Sequence, residues 1–188
     1  MIFRKILPSA FLLITVLSAF AGTALASDIS FFVGAEIPGA IKYNDVKMSL
    51  DNSPVYGLRY GRNFFQQISL EHTFAISPDY LFPGSNEGEV TEARGFIYNS
   101  NLMLNVPNID DMIVPFLTAG IGLIHQYGDR NLPVGTKVAF NYGGGAKFPN
   151  MVGPLGARID LRGYRAGVFS KQLNIFEISF GFMVTFGR

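Results

Sequence analysis

Apolar and polar residues alternate with a period of two along most of the chain. Such alternation is the mark of β-strands with two unlike faces. The last segment shows it most clearly, because one face is small or polar and the other is wholly apolar, formed by Phe176, Ile178, Phe180, Phe182, Val184 and Phe186. The segment from Ile29 to Ile37 alternates in the same way. The two segments could therefore pair and close a sheet.

Between these two segments, the alternation predicts six further strands: Val55 to Arg62, Gln67 to Ile76, Arg94 to Asn105, Pro115 to Gln126, Thr136 to Phe148 and Leu155 to Tyr164. Together with the two end segments they make eight. The connections alternate in length. Long loops are predicted at residues 38–54, 77–93, 127–135 and 165–173, and short turns at 63–66, 106–114 and 149–154. Long external loops and short periplasmic turns are typical of an up-and-down membrane barrel.

The first 26 residues have the pattern of a cleavable signal peptide. Arg4 and Lys5 form a basic region, the run from Ala10 to Phe20 is apolar, and Ala24-Leu25-Ala26 matches a small-x-small cleavage site. An uncleaved membrane anchor is the alternative, but the apolar run is short for a membrane span. We therefore expect a signal peptide at residues 1–26 and a single barrel domain at residues 27–188.

The composition indicates which face of the strands points outward. Hydrophobic residues make up 48% of the chain and charged residues only 15%, against about a quarter in ordinary soluble proteins. The interior of an eight-stranded barrel is just wide enough to be filled by side chains. The bulky row, Phe180 included, is therefore predicted to face lipid, and the row of small and charged residues to face the lumen.

The charged residues of the inner row have both signs. Because a buried charge is tolerable only when it is paired and hydrogen-bonded, they are predicted to form an ion-pair network that fills the lumen. The predicted members are Glu36, Arg59, Glu71, Lys147, Arg158, Asp160, Arg162 and Glu177.

Charge and composition exclude several function classes. Without residues 1–26 the chain has 13 basic and 14 acidic residues, a net charge of −1, so nucleic acid is not an expected partner. There is no cysteine, which excludes disulfides and cysteine chemistry. The acidic loop with Glu87, Glu89 and Glu92 is interpreted as solvated, and Gly143 to Gly145 as strand glycines, because no Lys-Ser or Lys-Thr pair follows them. No cofactor or metal is expected.

Four segments carry a resemblance to a known family: VPFLTAGIGLI (Val114 to Ile124), NYGGGAKF (Asn141 to Phe148), GARIDLRGYRAG (Gly156 to Gly167) and ISFGFMVTFGR (Ile178 to Arg188). The chain resembles the small outer-membrane β-barrels that include the OmpA transmembrane domain and OmpX. The resemblance implies an all-β, eight-stranded antiparallel up-and-down transmembrane β-barrel in the cell outer membrane. It also implies contact with outer-membrane lipid and lipopolysaccharide, and assembly by the barrel assembly machinery.

Three functions remain open at this point. The first is a non-enzymatic structural or surface-interaction role, in which the long loops contact extracellular or envelope proteins; Tyr80 to Pro83 is the most apolar loop segment. The second is a lipid A-modifying acyl hydrolase centred on His125, although no serine lies within a few positions of it. The third is a soluble periplasmic lipid-binding barrel, which would need its apolar rows inside.

Overall fold

The computed structural model describes residues 27–39, 41–43, 46–48, 52–65, 67–78, 93–106, 112–128, 135–167 and 173–187. The predicted signal peptide, the acidic loop and the segment from Tyr80 to Pro83 lie outside these ranges. Within these ranges, no helix is long and apolar enough to cross a membrane.

Eight strands form one closed antiparallel barrel. Each pairs with the barrel strand next to it in sequence, and the last pairs with the first. The barrel strands are β1 (Ser27–Pro38), β4 (Ser53–Asn63), β5 (Ile68–Ser77), β6 (Ala93–Asn105), β7 (Val114–Gly128), β8 (Lys137–Val152), β9 (Leu155–Ala166) and β10 (Leu173–Phe186). The predicted eight-stranded all-β barrel is confirmed.

The barrel closes where β1 pairs with β10. Ser27 lies opposite Phe186 at one end of this pairing, and Pro38 lies opposite Ile175 at the other. Closure leaves no row of unpaired backbone groups, which is the condition for a sheet surrounded by lipid. The end of the barrel at Ser27 and Phe186 is called the short-turn rim, because the short connections lie there; the opposite end is the long-loop rim.

Two local features differ from the sequence prediction. Strand β8 continues to Val152 instead of ending at Phe148, and the turn occupies only Gly153 and Pro154. The pairing with β9 is irregular between Phe148 and Val152, where Asn150 has φ of 56°. A bulge breaks the period of two, so the alternation in the sequence stops at Phe148, before the strand itself ends at Val152.

The second difference is a small hairpin inside the first predicted long loop. It consists of β2 (Ile41–Tyr43) and β3 (Val46–Met48), which form their own two-stranded sheet. Strands of three residues are too short for alternation to reveal them.

The outer wall of the barrel is apolar. Large hydrophobic side chains point outward along the strands; Phe31, Leu117 and Phe182 are 64%, 61% and 69% exposed. Soluble monomers rarely expose a contiguous apolar patch larger than a few hundred Å², whereas a lipid-facing wall requires one. The described strands thus have their large apolar side chains on the outside of the barrel. A soluble lipid-binding barrel needs the opposite arrangement.

Candidate functional site in the charged lumen

The structure places all eight of the predicted lumen charges inside the barrel, each at most 5% exposed: Glu36, Arg59, Glu71, Lys147, Arg158, Asp160, Arg162 and Glu177. A ninth, Asp28, lies in the same inner row and is absent from the sequence prediction. Lys147 Nζ donates to Asp28 Oδ2 at 2.7 Å. Asp28 lies eight residues before Glu36, on the same parity of β1, and this spacing is the sequence signal that places it in the lumen.

Strand β9 supplies the centre of the network. Arg158, Asp160 and Arg162 are spaced by two residues, so all three side chains enter the lumen. Asp160 accepts from Arg158 Nε at 2.7 Å and from Arg162 Nη2 at 2.8 Å. Arg59 of β4 adds a longer contact from Nη1 to Asp160 Oδ2, at 3.3 Å. One carboxylate therefore joins three guanidinium groups.

Glu71 of β5 holds the same arginines from the opposite wall. It accepts from Arg162 Nη2 at 2.6 Å through Oε1, and Arg158 Nη1 donates to its Oε2. All three side chains are fully buried. Each charge thus has an opposite charge in contact, as burial requires.

Glu177 of β10 forms the third acidic node. Arg59 Nη2 donates to its Oε1 at 2.5 Å, and the hydroxyls of Ser179 and Tyr164 each donate to it at 2.6 Å. Arg59 therefore connects Glu177 to Asp160. The Arg59 guanidinium also lies 3.5 Å from the centroid of the Phe32 ring, a favourable cation–π distance.

Large apolar side chains also occupy the lumen, which the sequence prediction of small and charged residues did not include. Phe116 and Met183 are 2% exposed, and Phe116 lies under the Arg158 guanidinium at 4.6 Å. A separate apolar cluster lies toward the long-loop rim, made of Phe32, Val55, Ala75, Ile97, Ile124, Ala139, Tyr164, Ala166 and Ile175. The lumen is thus closed by apolar packing as well as by ion pairs.

The residues predicted to face lipid on β10 all lie on the outer parity of that strand. Phe176, Ile178, Phe180, Phe182 and Phe186 are exposed, and Val184 is half-buried. Phe180 and Phe182 contact each other edge to face, with ring centroids 5.3 Å apart.

Both histidines lie on the outer parity of their strands. His125 Nδ1 of β7 is 2.7 Å from Thr136 Oγ1. His72 Nδ1 of β5 is 3.1 Å from the Tyr98 hydroxyl, and its ring is stacked on the Tyr98 ring. Within the described ranges, no three His, Asp or Glu side chains gather in a metal-binding arrangement.

Comparison with known proteins identifies the fold. No family model and no curated protein matches the chain. Among solved structures, Neisserial surface protein A has a TM-score of 0.65 at 12% identity, over 88% of this chain and 100% of that one. The outer membrane protein OprG from Pseudomonas aeruginosa has a TM-score of 0.60 at 11% identity, over 89% and 99%. The fold is that of an outer-membrane β-barrel.

A third outer-membrane barrel agrees with this result. The N-terminal β-barrel domain of Pseudomonas aeruginosa OprF has a TM-score of 0.56 at 13% identity, over 88% of this chain and 100% of that domain. At identities this low, the structural similarity establishes the fold and does not indicate an activity. The prediction of a transmembrane barrel of the outer membrane is confirmed at the level of the fold.

Proposed function

We propose that the protein is a non-enzymatic integral outer-membrane barrel with a plugged, charged lumen, which supports the envelope or presents its long loops to partners. The observation that carries this proposal is the filling of the lumen. The guanidinium groups of Arg59, Arg158 and Arg162 are fully buried within it. A barrel of eight strands filled in this way has no bore for general diffusion.

The network also suits a scaffold role. Glu71, Asp160 and Glu177 join β5, β9 and β10 through three arginines, so the walls are connected through the centre as well as through the backbone. Loops that carry function are typically held by rigid scaffolds of this kind. The long loops would then be the segments that contact extracellular or envelope proteins.

Lipid contacts follow from the outer wall. Its apolar band matches outer-membrane acyl chains, and Arg94 and Arg165 lie exposed on the outer parity near the long-loop rim. Guanidinium groups at this level would contact the phosphates of lipopolysaccharide. We expect the barrel assembly machinery to be the partner during biogenesis.

Detergent-folded protein tests the proposal directly. Its migration in SDS gels should differ with and without boiling, because a closed barrel resists unfolding. In planar bilayers it should produce no porin-sized conductance. Recovery in the soluble periplasm without detergent, or a large steady conductance, would contradict the proposal.

The hydrolase hypothesis has its own experiment. His125 is within hydrogen-bonding distance of Thr136, and a serine nucleophile beside the imidazole is the arrangement that acyl hydrolysis uses. Lipid A from cells expressing wild type, His125→Ala or the control His72→Ala should have the same acyl chains by mass spectrometry. A deacylated species that disappears only in His125→Ala would establish the enzyme instead.

A further inference from the structure

Glu36 differs from the other acids of the lumen. Its side chain is 1% exposed, and neither carboxylate oxygen has a hydrogen-bond partner in the described part of the chain. Asp28, Glu71, Asp160 and Glu177 each form an ion pair. An ionised carboxylate buried without a partner is strongly unfavourable, so Glu36 either holds a proton or shares its charge with a bound cation.

The charge balance of the lumen leads to the same residue. Within the described ranges the buried acids are Asp28, Glu36, Glu71, Asp160 and Glu177, and the buried bases are Arg59, Lys147, Arg158 and Arg162. Five buried acids against four buried bases leave one acid without a buried base. Since the other four acids are paired with these bases, the acid left over is Glu36.

Oxygen atoms surround Glu36 from three other strands. It lies directly opposite Glu177 of β10 on one side and Ser53 of β4 on the other. Ser53 Oγ is 2.6 Å from Ser77 Oγ of β5, so the two hydroxyls lie together in the inner row beside Glu36. Four neighbouring strands thus direct carboxylate or hydroxyl oxygens toward one place near the long-loop rim.

We propose that Glu36, Glu177, Ser53 and Ser77 bind one hard monovalent cation, Na⁺ or K⁺. Carboxylate and hydroxyl oxygens are the ligands that hard cations prefer. A single positive charge matches the one buried carboxylate that has no basic partner in the described part of the chain, whereas a divalent ion would exceed it. The cation also relieves the repulsion between Glu36 and Glu177, whose carboxylate is already held by Arg59.

Unfolding of the full-length barrel in detergent tests the site. The unfolding midpoint is measured by heat-modified gel mobility in NaCl, KCl, CaCl₂ or N-methyl-D-glucamine chloride at equal ionic strength. The wild type should gain about 3 °C in Na⁺ or K⁺, with saturation, because a ligand that binds only the folded state stabilises it. Glu36→Gln, which has the same shape without the charge, should have the same midpoint in all four salts.

Two further variants complete the experiment. Asp28→Asn removes a carboxylate at the opposite end of the lumen and leaves Lys147 without its partner, so its midpoint should be lower in every salt, but the gain in Na⁺ or K⁺ over N-methyl-D-glucamine should remain. Ser77→Ala removes one ligand and should raise the half-saturating concentration severalfold, a result that does not depend on Glu36→Gln folding. A wild-type midpoint equal in Na⁺, K⁺ and N-methyl-D-glucamine overturns the proposal in favour of a bound proton, and a response to Ca²⁺ alone overturns the monovalent assignment.

Discussion

Arg162 of β9 reaches across the barrel to Glu71 of β5, with 2.6 Å between Nη2 and Oε1. The two strands lie on opposite sides of the wall, four places apart in the strand order. Arg158 makes a second bridge between the same strands. The lumen therefore joins parts of the wall that the backbone ladder never brings into contact.

Glu71→Gln should destabilise the barrel because it removes the carboxylate that both arginines share. Breaking a buried ion pair by removing one partner costs about 3–5 kcal/mol. Urea unfolding followed by far-ultraviolet circular dichroism in detergent measures the loss. Glu36→Gln in the same N-methyl-D-glucamine buffer is the matched control, since it changes an equally buried glutamate that forms no ion pair with any described residue. Equal losses in both variants, in N-methyl-D-glucamine buffer, would mean that the bridges add no stability.

Phe180→Arg should destabilise the folded barrel in a bilayer more than Phe186→Arg. Phe180 lies in the middle of β10, whereas Phe186 is its last residue. An outward arginine costs about 2–4 kcal/mol at the midplane and about 0–1 kcal/mol near the interface. Reversible unfolding from lipid vesicles by guanidinium chloride gives both values. Similar values at the two positions would contradict a lipid-facing row that spans the membrane.

Gly122→Ala should destabilise the barrel by overpacking its lumen. A Cβ at this position would collide with the Tyr98 carbonyl oxygen and the Asn99 side-chain oxygen, and inserted methyl groups in a packed interior cost about 1–3 kcal/mol. Gly135→Ala is the control, because a Cβ there meets nothing within 4 Å. Thermal midpoints by gel mobility compare the two. An unchanged midpoint in Gly122→Ala would show that β6 and β7 can move apart enough to accommodate the added Cβ at no cost in stability.

Gly153→Ala should cost stability for a conformational reason alone. Gly153 has φ of 59°, and a Cβ there would meet nothing within 4 Å. The left-handed backbone costs about 1–2 kcal/mol for a residue with a Cβ. Gly153→Asn should lose less, since asparagine visits this region more readily. The same unfolding assay ranks the three proteins, and an alanine variant as stable as the wild type would refute this account of the turn.

The strands could be predicted because alternation is a local property of the sequence. Phe180 and Arg158 each fall on one parity of a strand, and that parity decides between lipid and lumen. The ion-pair partner of each lumen residue could not be predicted from the sequence. The shear between distant strands decides that Glu71 contacts Arg158 and Arg162. Phe116 and Tyr164 fall on the inner parity of their strands, but the sequence prediction limits the inner row to small and charged residues and so omits them. The room for the Phe116 ring comes from Gly145 of the adjacent strand, where a Cβ would lie 2.7 Å from the ring.

The seam between β1 and β10 joins the barrel strands that are farthest apart in the chain. Every other pairing is a hairpin that can form locally, but this one requires the whole domain, and contacts of such long range slow folding. A chain interrupted before β10 would leave β1 and β9 as bare edges able to take a strand from another copy. The same pairing that seals the wall therefore makes incomplete chains prone to aggregation.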